Sequence, residues 1–408
     1  MPISRLPDAA VRELGSTLAI STPVALVKEL VDNAIDASAS FVDVIVSYNT
    51  VDRIEVRDNG HGIPLSDLNS LGRSGHTSKI TTFDDLITLG GKSLGFRGVA
   101  LASINTVAEV SLITRTAEEP VAVAFLVSRG GGIENSKHTS APVGTTVLAT
   151  KLFSRTPVRE KLALKKFREN LAKMRELLRS YALARPQIKL QFRVVTGENT
   201  TACSYAPHPQ ANTKEVISQL FSTGLALNCI PHTFRGSQPH TPGEGAGAGV
   251  GLTFEAYLPH ASADVNIIMG HGAFFSVDSR PVSPTRGTFK KLYASFKAHL
   301  SRFIRVSSSG QNQALHAPFI QLDIRCAPGS YDPNIEPSKD DVLFRDEGYI
   351  INQFENLMSS IYPTAVDKPD EPTTLAVSTV SGREASQNGL TIVPEPGQNT
   401  QVGLFYHP

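Results

Sequence analysis

The stretch that most limits how this chain can fold is Leu26-Val27-Lys28-Glu29-Leu30-Val31-Asp32-Asn33-Ala34-Ile35-Asp36-Ala37. It predicts one amphipathic helix. Ser21 or Thr22 can cap it, and Pro23 suits its first turn. Val27, Leu30, Val31, Ala34 and Ile35 recur at helical spacing and form a buried face. Glu29, Asn33 and Asp36 follow one another at i, i+4 and i+7, so at about 100° per residue they share a second face. A carboxylate, an amide oxygen and another carboxylate then point together from a helix anchored on its other side. Such oxygens hold a hard cation and polarise a water. Taken alone, a solvated polar face explains the pattern better.

A chain of 408 residues has room for two or three domains. Hydrophobic content of 40 % and charged content of 19 % suit a globular protein. The net charge of +1 makes no case for nucleic acid, so any basic surface must be local. Cys203, Cys229 and Cys326 are far apart without metal-ligand spacing and read as reduced core thiols. Arg5, Asp8 and the lack of a long apolar run argue against a secretory signal. No apolar stretch approaches the ~20 residues of a membrane span.

Strands are expected at Phe41–Ser47 and Arg53–Arg57. The second runs into Asp58-Asn59-Gly60-His61-Gly62-Ile63-Pro64. Two glycines beside a carboxylate at a strand end let the backbone pass close to a flat ligand, and Asp58 can accept from an exocyclic amine such as adenine's. An ordinary turn is the simpler alternative. Gly72 to Lys79 is polar and glycine-bearing, suited to phosphate or to a plain surface loop. Gly91-Lys92-Ser93 mimics the end of a P-loop, but the upstream glycine position is Leu86, which rules that motif out. Gly95 and Gly98 instead open a helix near Val99, whose free N–H groups suit phosphate.

Further strands are expected at 107–114, 121–127, from Gly144 and at 188–195. One long helix is expected from Val158 to Ala184, with Leu162, Phe167, Leu171, Met174, Leu178 and Tyr181 on its apolar side. Its other face is basic, with Arg159, Lys161, Lys165, Lys166, Arg168, Lys173, Arg175 and Arg179. A solvated face is the default reading there, and a phosphate-backbone contact the alternative. A second domain is expected after Ala206-Pro207, with a flexible Gly- and Pro-rich insertion at 235–251, a helix at 285–304 and a strand at 319–325. From Pro363 periodicity stops, as in a disordered linker.

Together the ordered pieces resemble the N-terminal half of MutL-type DNA mismatch-repair proteins. These pieces are Glu29…Asn33…Asp36, Asp58-Asn59-Gly60…Gly62, Thr77-Ser78-Lys79, Gly95-Phe96-Arg97-Gly98 and Gly144-Thr145-Thr146-Val147. MutL proteins stand with gyrase B, Hsp90 and histidine kinases among the Bergerat-fold (GHKL) ATPases. The resemblance covers about residues 1–345. It implies an α/β (α+β) fold with a Bergerat-fold sandwich at 1–205, a transducer domain like ribosomal protein S5 domain 2 at 206–360, and a linker at 361–408. It implies ATP and Mg2+ as cofactors. Glu29 then resembles the general base, Asn33 the magnesium ligand, and Asp58 the adenine-binding carboxylate with Gly62 and Thr145 beside the base. Thr77, Ser78, Lys79, Leu94, Gly95, Phe96, Arg97 and Gly98 resemble the lid over the phosphates. Lys339, in Tyr331-Asp332-Pro333-Asn334-Ile335-Glu336-Pro337-Ser338-Lys339, resembles the lysine that reaches the γ-phosphate. A surface lysine is the plain alternative for Lys339.

The pattern departs from the family at supporting positions. Gly15-Ser16-Thr17-Leu18-Ala19 replaces Ala-Gly-Glu-Val, the segment that helps the N-terminal halves pair. Val99, Arg155 and Glu336 stand where glutamate, asparagine and histidine are usual. The resemblance is therefore to a divergent eukaryotic paralogue of the accessory kind. It implies slow ATP hydrolysis as a conformational switch in mismatch repair, or a non-hydrolysing scaffold. It also implies a nuclear location, a MutL homologue as heterodimer partner, a mismatch-recognition complex and weak, sequence-independent contact with double-stranded DNA. With no Asp-Gln-His-Ala endonuclease motif and no dimerisation domain after the linker, the chain reads as an N-terminal piece of a longer protein or a truncated one.

Overall fold

Pro23 to Asp36 forms helix α1, with Thr22 Oγ1 accepting from Ala25 N at 3.1 Å as its cap. The structure is a computed structural model and describes residues 19–73, 75–76, 93–95, 98–236, 251–307, 315–336 and 339–363. Leu26, Val27, Leu30, Val31 and Ala34 are all buried, so α1 packs by the apolar stripe its spacing defines.

The first layer continues with β1 (Phe41–Ser47), β2 (Arg53–Asp58), α2 (Ala100–Val107), β3 (Glu109–Arg115), β4 (Ala122–Val127), β5 (Ile133–Thr139) and β6 (Gly144–Thr150). It closes with α3 (Pro157–Lys165), α4 (Phe167–Ala184), β7 (Lys189–Thr196) and β8 (Asn199–Tyr205). The eight strands lie in the order β5-β4-β3-β6-β2-β1-β7-β8. All neighbours are antiparallel except β1 and β7, which the α4 crossover makes parallel. Helices α1 and α4 pack on each other, and α4 also touches β7.

A second sheet follows α5 (Thr213–Leu220) and α6 (Thr223–Asn228). Its elements are β9 (Cys229–Arg235), β10 (Thr253–Pro259), α7 (Val265–Ile268), β11 (Ala273–Val277), β12 (Arg280–Val282), α8 (Gly287–Ser307) and β13 (Ile320–Arg325). The order is β12-β11-β13-β10-β9, with β11 and β13 parallel across the α8 crossover. A small ribbon of β14 (Tyr331–Asp332) and β15 (Leu343–Phe344) leads to α9 (Glu347–Ile361), which lies against α8. The far face of α4 meets β11 and β12, so one helix serves both sheets.

The mixed α/β architecture is as expected, with several local corrections. The helix expected from Val158 to Ala184 is two helices. Lys166 leaves helical geometry at φ −99°, ψ 17°, and the next helix starts in a new register. Ala163 is the buried residue of α3, and Leu162, expected on the apolar side, is 53 % exposed. Asn170 Nδ2 donates to Ala163 O at 3.4 Å across the joint. Strand β8 was not legible, because Asn199–Ser204 is an exposed polar edge without alternation. Cys203, expected in the core, is exposed on that edge; Cys229 is buried and Cys326 half-buried. Helix α9 was also unread, though Ile350, Phe354, Leu357 and Met358 give it a buried stripe. Gly15–Leu18, most of the 235–251 insertion and the tail from 364 lie outside the described residues.

Candidate functional site

The first sheet brings one end of the site together on three neighbouring strands. Asp58 on β2 is registered opposite Thr145 on β6, and Thr145 opposite Thr114 on β3. Asp58 Oδ1 accepts from Gly60 N at 2.9 Å and Thr145 N at 3.3 Å. Among the described residues its Oδ2 has no donor. Burial raises the Asp58 pKa, with the Gly60 and Thr145 amides opposing. The Thr114 and Thr145 hydroxyls sit 3.4 Å apart, both buried, and Ile63 N donates to Thr114 Oγ1 at 2.8 Å.

Two glycines are required here. Gly62 adopts φ +75°, and a Cβ on it would meet Arg115 O at 2.2 Å. Gly144 at φ +130° would place a Cβ 2.1 Å from Asp58 O. No L side chain fits either position without moving backbone. The structure brings Asp58 and Thr145 together and sets Gly62 against Arg115 on the neighbouring strand, and Thr114 is a partner that sequence reasoning missed. Its only sequence signal is its place on an alternating strand.

The other end is built on α1. Glu29 is 7 % exposed, and Lys339 donates to its Oε2 from 2.9 Å. Lys339 is 3 % exposed, so the surface-lysine alternative is excluded. It holds φ +53°, a left-handed backbone that costs a lysine about 1–2 kcal/mol. Its loop is braced by Arg286, which donates to Glu336 at 2.8 Å and to Asp340 at 3.2 Å. Glu336 thereby finds an ion-pair partner.

One turn along α1, Asp32 is fully buried. It accepts from Lys28 Nζ at 3.1 Å and from the Tyr181 hydroxyl on α4. Burial alone would raise the Asp32 pKa. Lys28, Lys339, Arg280 and the Tyr181 hydrogen bond outweigh it and hold the carboxyl below its ordinary value. Burial and the same carboxylate push the Tyr181 hydroxyl well up. Tyr181 lies on the apolar side its helical spacing predicts, but Asp32 did not stand out in the sequence, because a buried Asp and a solvated Asp look alike there.

Asn33 is half-buried on the Glu29 face. Asp36 does not join them in a cation cage. Its carboxylate accepts from Leu94 N and Gly95 N, both at 2.8 Å, and from Ser93 Oγ at 2.9 Å. The amides of Leu94 and Gly95, residues expected in the lid over the phosphates, are taken by Asp36 in this arrangement. Among the described residues no group of three or more His, Cys, Asp or Glu is placed to hold a metal ion. Helix α2 begins at Ala100, just after Gly98, whose φ is +63°. Thr77, Ser78, Lys79, Phe96 and Arg97 lie outside the described residues.

The basic face of α4 carries Arg168 and Arg175 exposed, but its arginines lean on rings. Arg168 lies 5.5 Å from Phe167, Arg175 5.8 Å from Phe192 and Arg179 4.9 Å from Phe221. Among the described residues no helix is long and apolar enough to cross a membrane.

Comparison with known proteins places both sheets. A family model described as "Histidine kinase-, DNA gyrase B-, and HSP90-like ATPase" matches residues 20–141. A second, described as "DNA mismatch repair protein, C-terminal domain", matches residues 269–362, within the second sheet and its helices. DNA mismatch repair protein MutL of Xanthomonas campestris is 32 % identical over 358 residues, 87 % of this chain and 51 % of that protein. PMS1 protein homolog 1 of Homo sapiens is 28 % identical over 365 residues, 88 % of this chain and 36 % of that protein. The chain thus spans about half or less of these two relatives. A crystal structure of the N-terminal domain of a DNA repair protein shares the fold, with TM-score 0.66 at 24 % identity over 86 % of this chain and 97 % of that one.

Proposed function

The chain belongs to the MutL family of DNA mismatch-repair proteins, and on that premise we propose that it binds ATP and hydrolyses it slowly, with magnesium, as a conformational switch in mismatch repair. The observation that carries this reading is the buried Lys339–Glu29 pair. It sets a carboxylate and an ammonium at one point, each from a different sheet region. Glu29 is the general base that takes a proton from the attacking water. Lys339 is the cation for charge developing on the transferred phosphoryl group, and its move from Glu29 to that group frees the base.

Asp58 Oδ2 accepts the adenine amine, with Gly62 and the Thr145–Thr114 pair beside the ring. Asn33 offers a hard amide oxygen next to Glu29. One protein oxygen suits magnesium, which keeps waters and phosphate oxygens around it and neutralises phosphate charge when bound. Asn33 is its ligand in this reading. Leu94 and Gly95, held on Asp36, and Gly98 ahead of α2 stand on the phosphate side of the site in this reading. Residues 1–205 act as the ATPase unit and 206–360 as the transducer. The chain works in the nucleus beside a second MutL homologue and a mismatch-recognition complex, touching duplex DNA weakly.

One observation favours a second reading. Lys339 sits directly on Glu29, where a hydrolytic water would otherwise be held. A subunit that keeps this pair with nucleotide bound would sense ATP without turning it over. Equilibrium binding of ATP and phosphate release, measured on the same preparation, decide between them. Binding with release supports the switch, binding without release supports the sensor, and neither overturns both.

A further inference from the structure

Arg280 opens β12 in the second sheet and is 2 % exposed. Its two terminal nitrogens leave the second sheet altogether. One donates to Ser93 O at 2.7 Å and the other to Leu94 O at 3.1 Å. The same short segment is held on its N–H side by Asp36, through Leu94 N, Gly95 N and Ser93 Oγ. A cation therefore grips the carbonyls and an anion grips the amides of one three-residue loop. The anion comes from the last residue of α1 and the cation from the other sheet.

The arrangement is costly. The Arg280 Nε–H is buried without an acceptor among the described residues. The Arg280 hydrogen bonds go to backbone carbonyls, while its charge also favours the ionised Asp32, and a buried guanidinium held this way is a poor source of stability. What it supplies is a fixed geometry, because a planar fork addresses two carbonyls at once.

We propose that Arg280 is a positioning residue for the nucleotide reaction, holding from the second sheet the Ser93–Gly95 segment that precedes Gly98 and the N-terminus of α2. The inference rests on the ATP reading above. With Lys339 on Glu29 from the loop between β14 and β15, the chain beyond α4 makes two separate grips on the site, one on the base and one on the loop. The Arg280 grip acts on binding of the phosphate chain, and the Lys339 grip acts on the chemical step.

Arg280→Ala and Arg280→Lys, in the full chain, test this. Folding is checked by circular dichroism, and KM and kcat for ATP are read beside the affinity for adenosine. The expected result is a KM for ATP raised about ten-fold or more in Arg280→Ala, from two lost charge-assisted hydrogen bonds. Adenosine affinity and kcat change little. Arg280→Lys keeps the charge but not the planar fork, so it falls between. Millimolar guanidinium restores the KM of Arg280→Ala and leaves the parent unchanged. If Arg280→Ala does not fold, Arg280→Lys carries the same comparison. A folded variant with parental KM, even one that melts earlier, overturns the proposal and leaves Arg280 a structural contact. A parent that binds no ATP overturns the functional reading instead.

Discussion

Lys339 and Glu29 stand 310 positions apart in the chain and meet at 2.9 Å inside the protein. Each is more than nine-tenths buried, so neither charge is hydrated well enough to stand alone. Removing one side chain takes from the other the opposite charge it meets directly. Lys339→Met should cost roughly 3–5 kcal/mol of stability in a denaturant melt, and Glu29→Gln a similar amount. The double variant Glu29→Gln/Lys339→Met should recover most of that loss while remaining without turnover. Additive losses in this cycle would mean the pair is not coupled.

Asp58 gives a case where stability and binding move in opposite directions. Its pKa is raised by burial, so the folded state holds a proton more readily than the unfolded chain. The stabilising effect of that shift is complete below the unfolded pKa and is lost as pH rises through the folded one. At neutral pH the ionised group therefore weakens the fold. Asp58→Asn should melt no lower than the parent at pH 7, and the comparison should turn against it as the pH is lowered. The same change should weaken ATP binding about ten-fold, since an amide oxygen replaces a charged acceptor. GTP, with a carbonyl where adenine has its amine, should be affected little. Equal losses for both nucleotides would point to general damage.

Asp32 carries the opposite sign. Its folded pKa is lowered, so its contribution is present above the unfolded pKa and lost as pH falls through the folded value. Asp32→Asn leaves Lys28, itself 8 % exposed, without its carboxylate. The loss should be several kcal/mol, on the order of 3 or more, at pH 7 and should shrink as pH falls below the unfolded carboxylate value of about 4 toward the lower folded one. A loss of equal size at pH 7 and pH 3 would show that the hydrogen bond to Tyr181, not the charge, matters there.

What was legible in the sequence followed from periodicity and from short-range chemistry. The α1 stripe, the Asp58–Gly62 turn and the β-rich runs announce themselves within a few residues. The Thr145 partnership with Asp58 was reachable only through resemblance, because strand register is a long-range property. Asp36 was misplaced for the same reason. Its helical face predicts where it points, and not that a loop some 58 positions later brings two amides to it. Arg280 gave no signal, Thr114 only its place on an alternating strand and Tyr181 only its place on an apolar helix side, since their polar partners are set by the fold and not by the local sequence. Strand β8 was lost to local polarity, as its residues are mostly exposed, and α3 was expected but as one helix with α4, without the break at Lys166.

The α4 face tests the DNA proposal. Neutralising Arg168, Arg175 and Arg179 together should lower duplex affinity and flatten its dependence on salt, as fewer counterions are released. The cation–π contacts to Phe167, Phe192 and Phe221 are lost at the same time, at roughly 0.5–1 kcal/mol each where exposed, so the melting point should fall modestly. ATP binding should persist. An unchanged salt slope would remove this helix from any DNA surface.

The most direct measurement is ATP binding and phosphate release on the parent and Glu29→Ala side by side. Losing the carboxylate removes the base and leaves the Asp58 end of the site intact. The account predicts slow release by the parent, none by Glu29→Ala, and similar ATP affinity for both. Release by Glu29→Ala at the parental rate would contradict the assignment of Glu29 and, with it, the role of Lys339.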